Sequence, residues 1–214
     1  MIDNQVLNTK GKNMKKNFSI SGVILAGGKN SRVDGKNKTF FSIGSASIFE
    51  RIYSVMNGFF DDLIVVTRSP ECFLDWDISI VSDIYKPYCS LNGIYSGLFH
   101  AKYPQAFIVA CDTPFLSQEL IKYMCETCKS NIDVYLPKTY KGYEPLCAIY
   151  SKRCLNRFKS HLQMQKYKIT NCFKSLKTSF IEESTIRSKD AELLSFFNIN
   201  TSDDLNYANK IVDK

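Results

Sequence analysis

Short apolar runs that show no polar alternation constrain this chain most. They fall at residues 19–26, 63–67, 78–81, 107–110 and 134–136 and are rich in Val, Ile and Leu. A strand with one wet face alternates polar and apolar residues, whereas a run apolar on both sides reads as a strand covered on both faces. Helix-length amphipathic segments, at 47–57, 92–103, 117–129 and 151–162, are interleaved with these runs. Strands alternating with helices of that length build βαβ units. The expected fold is therefore α/β, a three-layer α/β/α sandwich around a mostly parallel, Rossmann-like sheet. In such a sheet right-handed crossovers place ligands at the carboxyl ends of the strands. Gly27–Gly28 follows the first run, Asp83 the third and Asp112 the fourth. Further strands are expected at 145–150 and 178–182, and a closing helix at 203–212 capped by Thr201 or Ser202.

The length of 214 residues suits one domain, placed at residues 18–214 behind a polar tail at 1–17. A net charge of +7 favours phosphates, nucleotides or nucleic acid, but Lys10, Lys12, Lys15 and Lys16 of the tail supply part of it. No run approaches the roughly 18 apolar residues that a membrane span needs. The stretch from Met14 imitates a secretory signal, yet its unbroken apolar run is only Val23 to Ala26, too short for a secretory core. A cytoplasmic protein is expected, with Met1 and Met14 both open as the start. Its eight cysteines should then stay reduced, most of them as small core residues. Cys125 and Cys128 form a CxxC in a helix-like pattern, without the second pair a zinc site requires.

The segment Leu25 to Lys38, LAGGKNSRVDGKNK, runs from a strand straight into Gly27–Gly28 and then carries Lys29, Arg32, Lys36 and Lys38. Glycines let backbone N–H groups approach an anion closely, and basic side chains neutralise phosphate oxygens. The segment outlines a triphosphate cradle. It matches neither GxxxxGK[ST] nor GxGxxG, which disfavours P-loop ATPases and dinucleotide-dependent dehydrogenases. Further on, VACDTPFLS sets Asp112 just beyond a buried run. A hard cation such as Mg²⁺ takes one or two carboxylates together with phosphate oxygens, and Asp112 is placed to be one of them.

LAGG followed by Arg32 and Lys38 resembles the signature loop of the sugar-1-phosphate and molybdenum cofactor nucleotidyltransferases, and CDTP resembles the metal-binding motif of the molybdenum cofactor guanylyltransferases. The turn here reads Arg32-Val33-Asp34-Gly35, where that family usually carries RMG or RMGG. CSLNG, at 89–93, stands where the family has a GPLAG-like segment; EPLCAIY, from Glu144, resembles its strand near the pterin; FNINT, 197–201, resembles its closing motif. The resemblance covers nearly the whole chain from about Ser19 and implies a nucleotide-diphospho-sugar transferase type of fold.

It also implies roles. Arg32, Lys38 and Asp112 are the expected catalytic residues, with Asp112 holding Mg²⁺. Leu25, Ala26, Gly27, Gly28, Lys38, Asp83 and Asp112 are the expected nucleotide-binding set, with Thr67 placed toward the base. The implied substrates are GTP and Mo-molybdopterin, and the implied protein partners deliver molybdopterin or accept the finished cofactor; neither nucleic acid nor membrane is expected. The terminal phosphate of molybdopterin would attack the α-phosphorus of GTP and release pyrophosphate. A phosphate monoester is already nucleophilic near neutral pH, so positioning and charge neutralisation suffice and no side-chain base is needed. The competing readings are a cytidylyl- or sugar-phosphate nucleotidyltransferase on the same scaffold, a non-catalytic molybdopterin carrier, and a nucleic-acid-binding module.

Overall fold

The structure, a computed structural model, describes residues 18–27, 32–33 and 36–213, with the backbone alone at 32–33 and 36–38. The expected tail, Gly28, Lys29, Asp34 and Gly35 lie outside the described residues. In chain order the elements are β1 (Ile20–Ala26), β2 (Arg32–Val33), β3 (Lys36–Asn37), β4 (Ser42–Ile43), β5 (Ala46–Ser47), α1 (Ile48–Phe59), β6 (Leu63–Thr67), β7 (Ser79–Val81), α2 (Ser90–His100) and β8 (Gln105–Ala110). They continue with α3 (Gln118–Thr127), β9 (Val134–Thr139), β10 (Gly142–Tyr143), β11 (Cys147–Ser151), α4 (Leu155–Gln163), β12 (Thr178–Glu182), α5 (Glu183–Arg187) and α6 (Ser202–Val212).

One sheet runs β10-β9-β11-β8-β1-β6-β7, with β12 also paired to β9. β1 lies parallel to both β6 and β8, and β7 lies parallel to β6. β11 enters antiparallel between β8 and β9. The sheet is thus mixed but mostly parallel, and apolar side chains cover both faces as the unalternated runs require. Ile20 and Ile24 of β1 pack on one face with Ile52 and Met56 of α1 and Leu120 and Met124 of α3. Val23 packs on the other with Ile94 and Leu98 of α2 and Phe158 of α4. Two helical layers with a sheet between them make the expected three-layer sandwich.

Helix starts follow local chemistry. Ser47 caps α1 in a box closed by Glu50, Ser117 accepts the Leu120 N–H to start α3, and Thr201 caps α6 in a box with Asp204. Three expected boundaries shift. α4 begins at Leu155 and not at 151, because Lys152–Cys154 forms a 3₁₀ turn capped by the Ser151 hydroxyl. β8 begins at Gln105, two residues ahead of the expected run, because Gln105 and Ala106 pair with β1 and β11, and it ends at Ala110 as expected. β9 continues through Pro137 to Thr139 because β12 and β10 extend its pairing. All eight cysteines are free thiols, and Cys125, Cys147, Cys154 and Cys172 are buried while the other four are only half-buried.

Helix α2 lies closely on β1 because two residues facing the strand, Gly93 and Gly97, lack side chains. A methyl group on Gly97 would overlap Val23 Cγ1 and stand 3.2 Å from Val66 Cγ2, both on rigid buried strands. Gly97→Ala is expected to lower folding stability by about 1–3 kcal/mol through overpacking, read as a lower denaturation midpoint in urea at unchanged slope.

Candidate active site

The carboxyl ends of β1, β6, β7 and β8 open onto a cavity of about 490 Å³, a size typical of small-molecule sites. Leu25 and Gly27 at the end of β1, Asp83 beyond β7, and Cys111 and Asp112 beyond β8 all line it. Pairing brings these ends together. β1 and β8 run in register from Ile20↔Gln105 to Leu25↔Ala110, and one more bond, from the Cys111 N–H to the Leu25 carbonyl at 3.0 Å, carries the ladder into the turn. The two chain segments that leave the sheet there are consequently neighbours.

Asp83 is held from two sides. A methyl group on Gly27 would sit 3.8 Å from Asp83 Oδ2, and one on Gly93 would sit 3.9 Å from Oδ1, so the carboxylate lies between the β1 turn and the first turn of α2. Two fully buried polar residues of α2 pin the chain that follows. The Ser96 hydroxyl accepts the Ile84 N–H at 2.9 Å, and the Asn92 amide accepts from the Tyr85 N–H at 3.2 Å and donates to the Tyr85 carbonyl. Removing either leaves buried backbone groups unsatisfied, which is why a helix facing the core carries Asn and Ser here. This pinning delivers Pro87, Tyr88, Cys89 and Ser90 to one wall of the cavity. The opposite wall holds Leu146, Tyr167, Ile199 and Asn200, and the Ile199 N–H donates to the Asp112 carbonyl at 2.9 Å.

Of the residues singled out in the sequence, Leu25, Gly27, Asp83 and Asp112 share this cavity, while Ala26 is buried and is not among its lining. Gly28 and the side chains of Arg32 and Lys38 lie outside the described residues, but Thr39, next to Lys38, lines the cavity. Thr67 does not line it: its buried hydroxyl donates to the Ala26 carbonyl at 3.4 Å and accepts the Ser69 N–H at 3.1 Å. Tyr88, Tyr167 and Asn200 complete the walls. Asn200 sits in the recognisable FNINT segment, whereas nothing local to Tyr88 or Tyr167 marks them.

Among the described residues no group of three or more His, Cys, Asp or Glu side chains forms a metal cluster. A hard cation shared with phosphate oxygens does not need one. Asp83 and Asp112 are two carboxylates in one cavity, and Asp83 Oδ1 is buried and accepts no hydrogen bond from the described residues. That donor set fits Mg²⁺ bound together with a polyphosphate.

Burial pushes the Asp83 carboxyl up to about 6 from its ordinary 3.8, against the opposing pull of the nearby Arg68 guanidinium. Between those two values the folded protein holds a proton that the unfolded chain has already released. The contribution of this group to stability therefore falls as pH rises from about 4 to 6 and stays reduced above. Asp83→Asn carries no such penalty. It is expected to match the wild type in stability below pH 4 and to exceed it at pH 7–8, measured by thermal or urea denaturation across pH.

The chain is similar to known proteins in sequence and in fold. The chain is 37% identical over 190 residues to the molybdenum cofactor guanylyltransferase of Desulfosudis oleivorans, covering 89% of this chain and 94% of that one. It is 38% identical over 202 residues to a probable molybdenum cofactor guanylyltransferase of Natranaerobius thermophilus, covering 92% and 98%. The crystal structure of molybdopterin-guanine dinucleotide biosynthesis protein A from Archaeoglobus fulgidus superposes with a TM-score of 0.80 at 26% identity, over 91% of this chain and 99% of that one. The 4-diphosphocytidyl-2C-methyl-D-erythritol synthase of Anaerococcus prevotii, at 16% identity and a TM-score of 0.67 over 91% and 96%, shares the fold. The family description, MobA-like NTP transferase domain, matches residues 22–178, and by this match and these relatives the chain belongs to that family.

Proposed function

We propose that residues 18–214 act as one nucleotidyltransferase unit that moves GMP from GTP to the terminal phosphate of Mo-molybdopterin, giving molybdopterin guanine dinucleotide and pyrophosphate. The observation that carries this reading is the convergence of Leu25 and Gly27 at the end of β1 with Asp83 and Asp112 on one cavity. The names of the relatives support the choice of guanine and of molybdopterin.

GTP would lie across the segment from Leu25 to Gly28, whose glycines would let backbone N–H groups approach its phosphates. Lys38 and Arg32 would neutralise the triphosphate, and the presence of Thr39 at the cavity supports a place for Lys38 beside it. Asp112 and Asp83 would hold Mg²⁺, which when bound supplies positive charge at the phosphate oxygens as negative charge builds on the departing pyrophosphate. The wall formed by Leu146, Tyr167 and Asn200 is left for the acceptor. In the transfer, an oxygen of the molybdopterin phosphate forms a bond to the α-phosphorus while the bond from that phosphorus to the bridging oxygen of pyrophosphate breaks. Neither His100 nor His161 lines the cavity, in keeping with a step that needs no side-chain base.

We also infer a cytoplasmic setting, which eight free thiols support. Among the described residues no helix is long and apolar enough to cross a membrane. Proteins that deliver molybdopterin or receive the product would be partners, and nucleic acid would not.

The test is pyrophosphate release by the full chain with Mg²⁺, using GTP, CTP and UTP against molybdopterin and sugar phosphates. GTP with molybdopterin should dominate. Preference for CTP or for a sugar phosphate would establish the related chemistry instead, and tight molybdopterin binding without any pyrophosphate would establish a carrier. Lys38→Ala and Asp112→Ala are each expected to lower turnover by about 10²–10³-fold, the scale for removing one preorganised charge, with circular dichroism unchanged.

A further inference from the structure

Resting on the guanylyl-transfer reading, we propose that Tyr150, which does not itself line the cavity, is a positioning residue for the acceptor: its hydroxyl holds the bulge that aims Leu146 into the acceptor wall. The bulge shows in the pairing of β9. Between Tyr143↔Lys138 and Ile149↔Tyr135 the chain running from β10 into β11 spends five residues where β9 spends two. Surplus residues on one strand interrupt the ladder, bend it and re-aim a side chain, a device common beside active sites. Here the chain leaves β10 at Tyr143, turns through Glu144, Pro145 and Leu146, and rejoins the sheet at Cys147, with Leu146 at the cavity.

Each residue of the bulge is tied at one point. The Glu144 N–H donates to the Pro137 carbonyl at 3.0 Å, and the Leu146 carbonyl accepts the Ala110 N–H at 3.2 Å. Pro145 between them has no N–H to give, and its carbonyl takes its bond from a side chain, the Tyr150 hydroxyl at 2.8 Å. Tyr150 is fully buried on β11, its ring edge-on to Phe158 of α4 with centroids 5.7 Å apart. Packing alone would be served as well by Phe, and the oxygen is buried at a cost that this one bond offsets. A donor held rigidly by the sheet and α4 thus pins a turn that the ladder has released.

The sheet order makes the effect selective. β8 and β1 stand between β11, which follows the bulge, and β6 and β7, which lead to Asp83. Leu146 belongs to the wall opposite Pro87, Tyr88, Cys89 and Ser90, so a loosened bulge disturbs one side of the cavity and leaves Gly27, Asp83 and Gly93 in place. A general loss of packing around Tyr150 would show no such preference for one substrate.

The test is steady-state pyrophosphate release by the full chain with Mg²⁺, alongside equilibrium binding of molybdopterin. Tyr150→Phe keeps the ring on Phe158 and removes only the oxygen. It should raise the KM and the Kd for molybdopterin by about fivefold, the scale of one buried hydrogen bond, and leave the KM for GTP unchanged. Pro145→Gly frees the backbone of the same bulge and leaves the buried ring alone; it should act in the same direction, so the test survives a Tyr150→Phe protein that folds poorly. Leu146→Ala should weaken the acceptor by itself, and adding Tyr150→Phe to it should cost nothing more, because both act through one side chain. Tyr150→Phe with both KM values unchanged would overturn the assignment, as would equal rises for GTP and acceptor, or full additivity with Leu146→Ala. A wild type that releases no pyrophosphate would remove the transfer reaction, while the molybdopterin Kd of the variants would still decide the role of Tyr150.

Discussion

The site depends on the ladder between β1 and β8. Six residue pairs and the added bond from the Cys111 N–H to the Leu25 carbonyl hold two strands, far apart in sequence, at one fixed register. A slip by one residue would turn the core-facing side chains of β1 to the opposite layer, so burial on both faces locks that register. Because the strands end together, Gly27 and Asp112 come to the same cavity. The polar chemistry is thus positioned by a feature made entirely of backbone bonds and aliphatic packing.

A second set of contacts closes the site from the C-terminal end. The Ile199 N–H bonds to the Asp112 carbonyl, Asn200 reaches the cavity, and the capping box of Thr201 and Asp204 starts α6 immediately afterwards. At the far end of that helix Asn209 accepts the Gly44 N–H at 3.0 Å. Gly44 has a positive φ of 60° and would bring a side chain to 3.0 Å from Val212, so the β4–β5 hairpin fits α6 only with glycine there. One helix therefore ties the Asp112 turn to the hairpin that follows the Lys38 segment.

Burying Asp83 between two glycine-bearing segments costs stability at neutral pH, as its raised pKa records. The surrounding scaffold tolerates this because Asn92 and Ser96 satisfy the backbone next to it. A carboxylate that accepts no bond at one oxygen from the described residues contributes little to the fold, and a cation brought by a ligand would satisfy that oxygen.

Much of this was legible in the linear chain. Apolar runs without alternation predict strands covered on both faces, Thr201 or Ser202 marks the start of the closing helix, and Gly27 and Asp112 stand just past strand ends. These signals are local: each depends on residues within a few positions of one another. The insertion of β11 between β8 and β9, the addition of β12 to β9, and the meeting of Arg68 with Tyr88 depend on contacts between residues distant in the chain or on loops without periodicity. Thr67 shows the limit, because the family resemblance places it toward the base, whereas the fold turns its hydroxyl to the backbone of β1. The sequence by itself determined the layers and the strand-end residues that meet at the cavity, since periodicity, glycine and strand-end carboxylates carry that information. Only the tertiary structure decided the cavity walls, because aromatic and amide side chains acquire a direction only once the segments bearing them are packed.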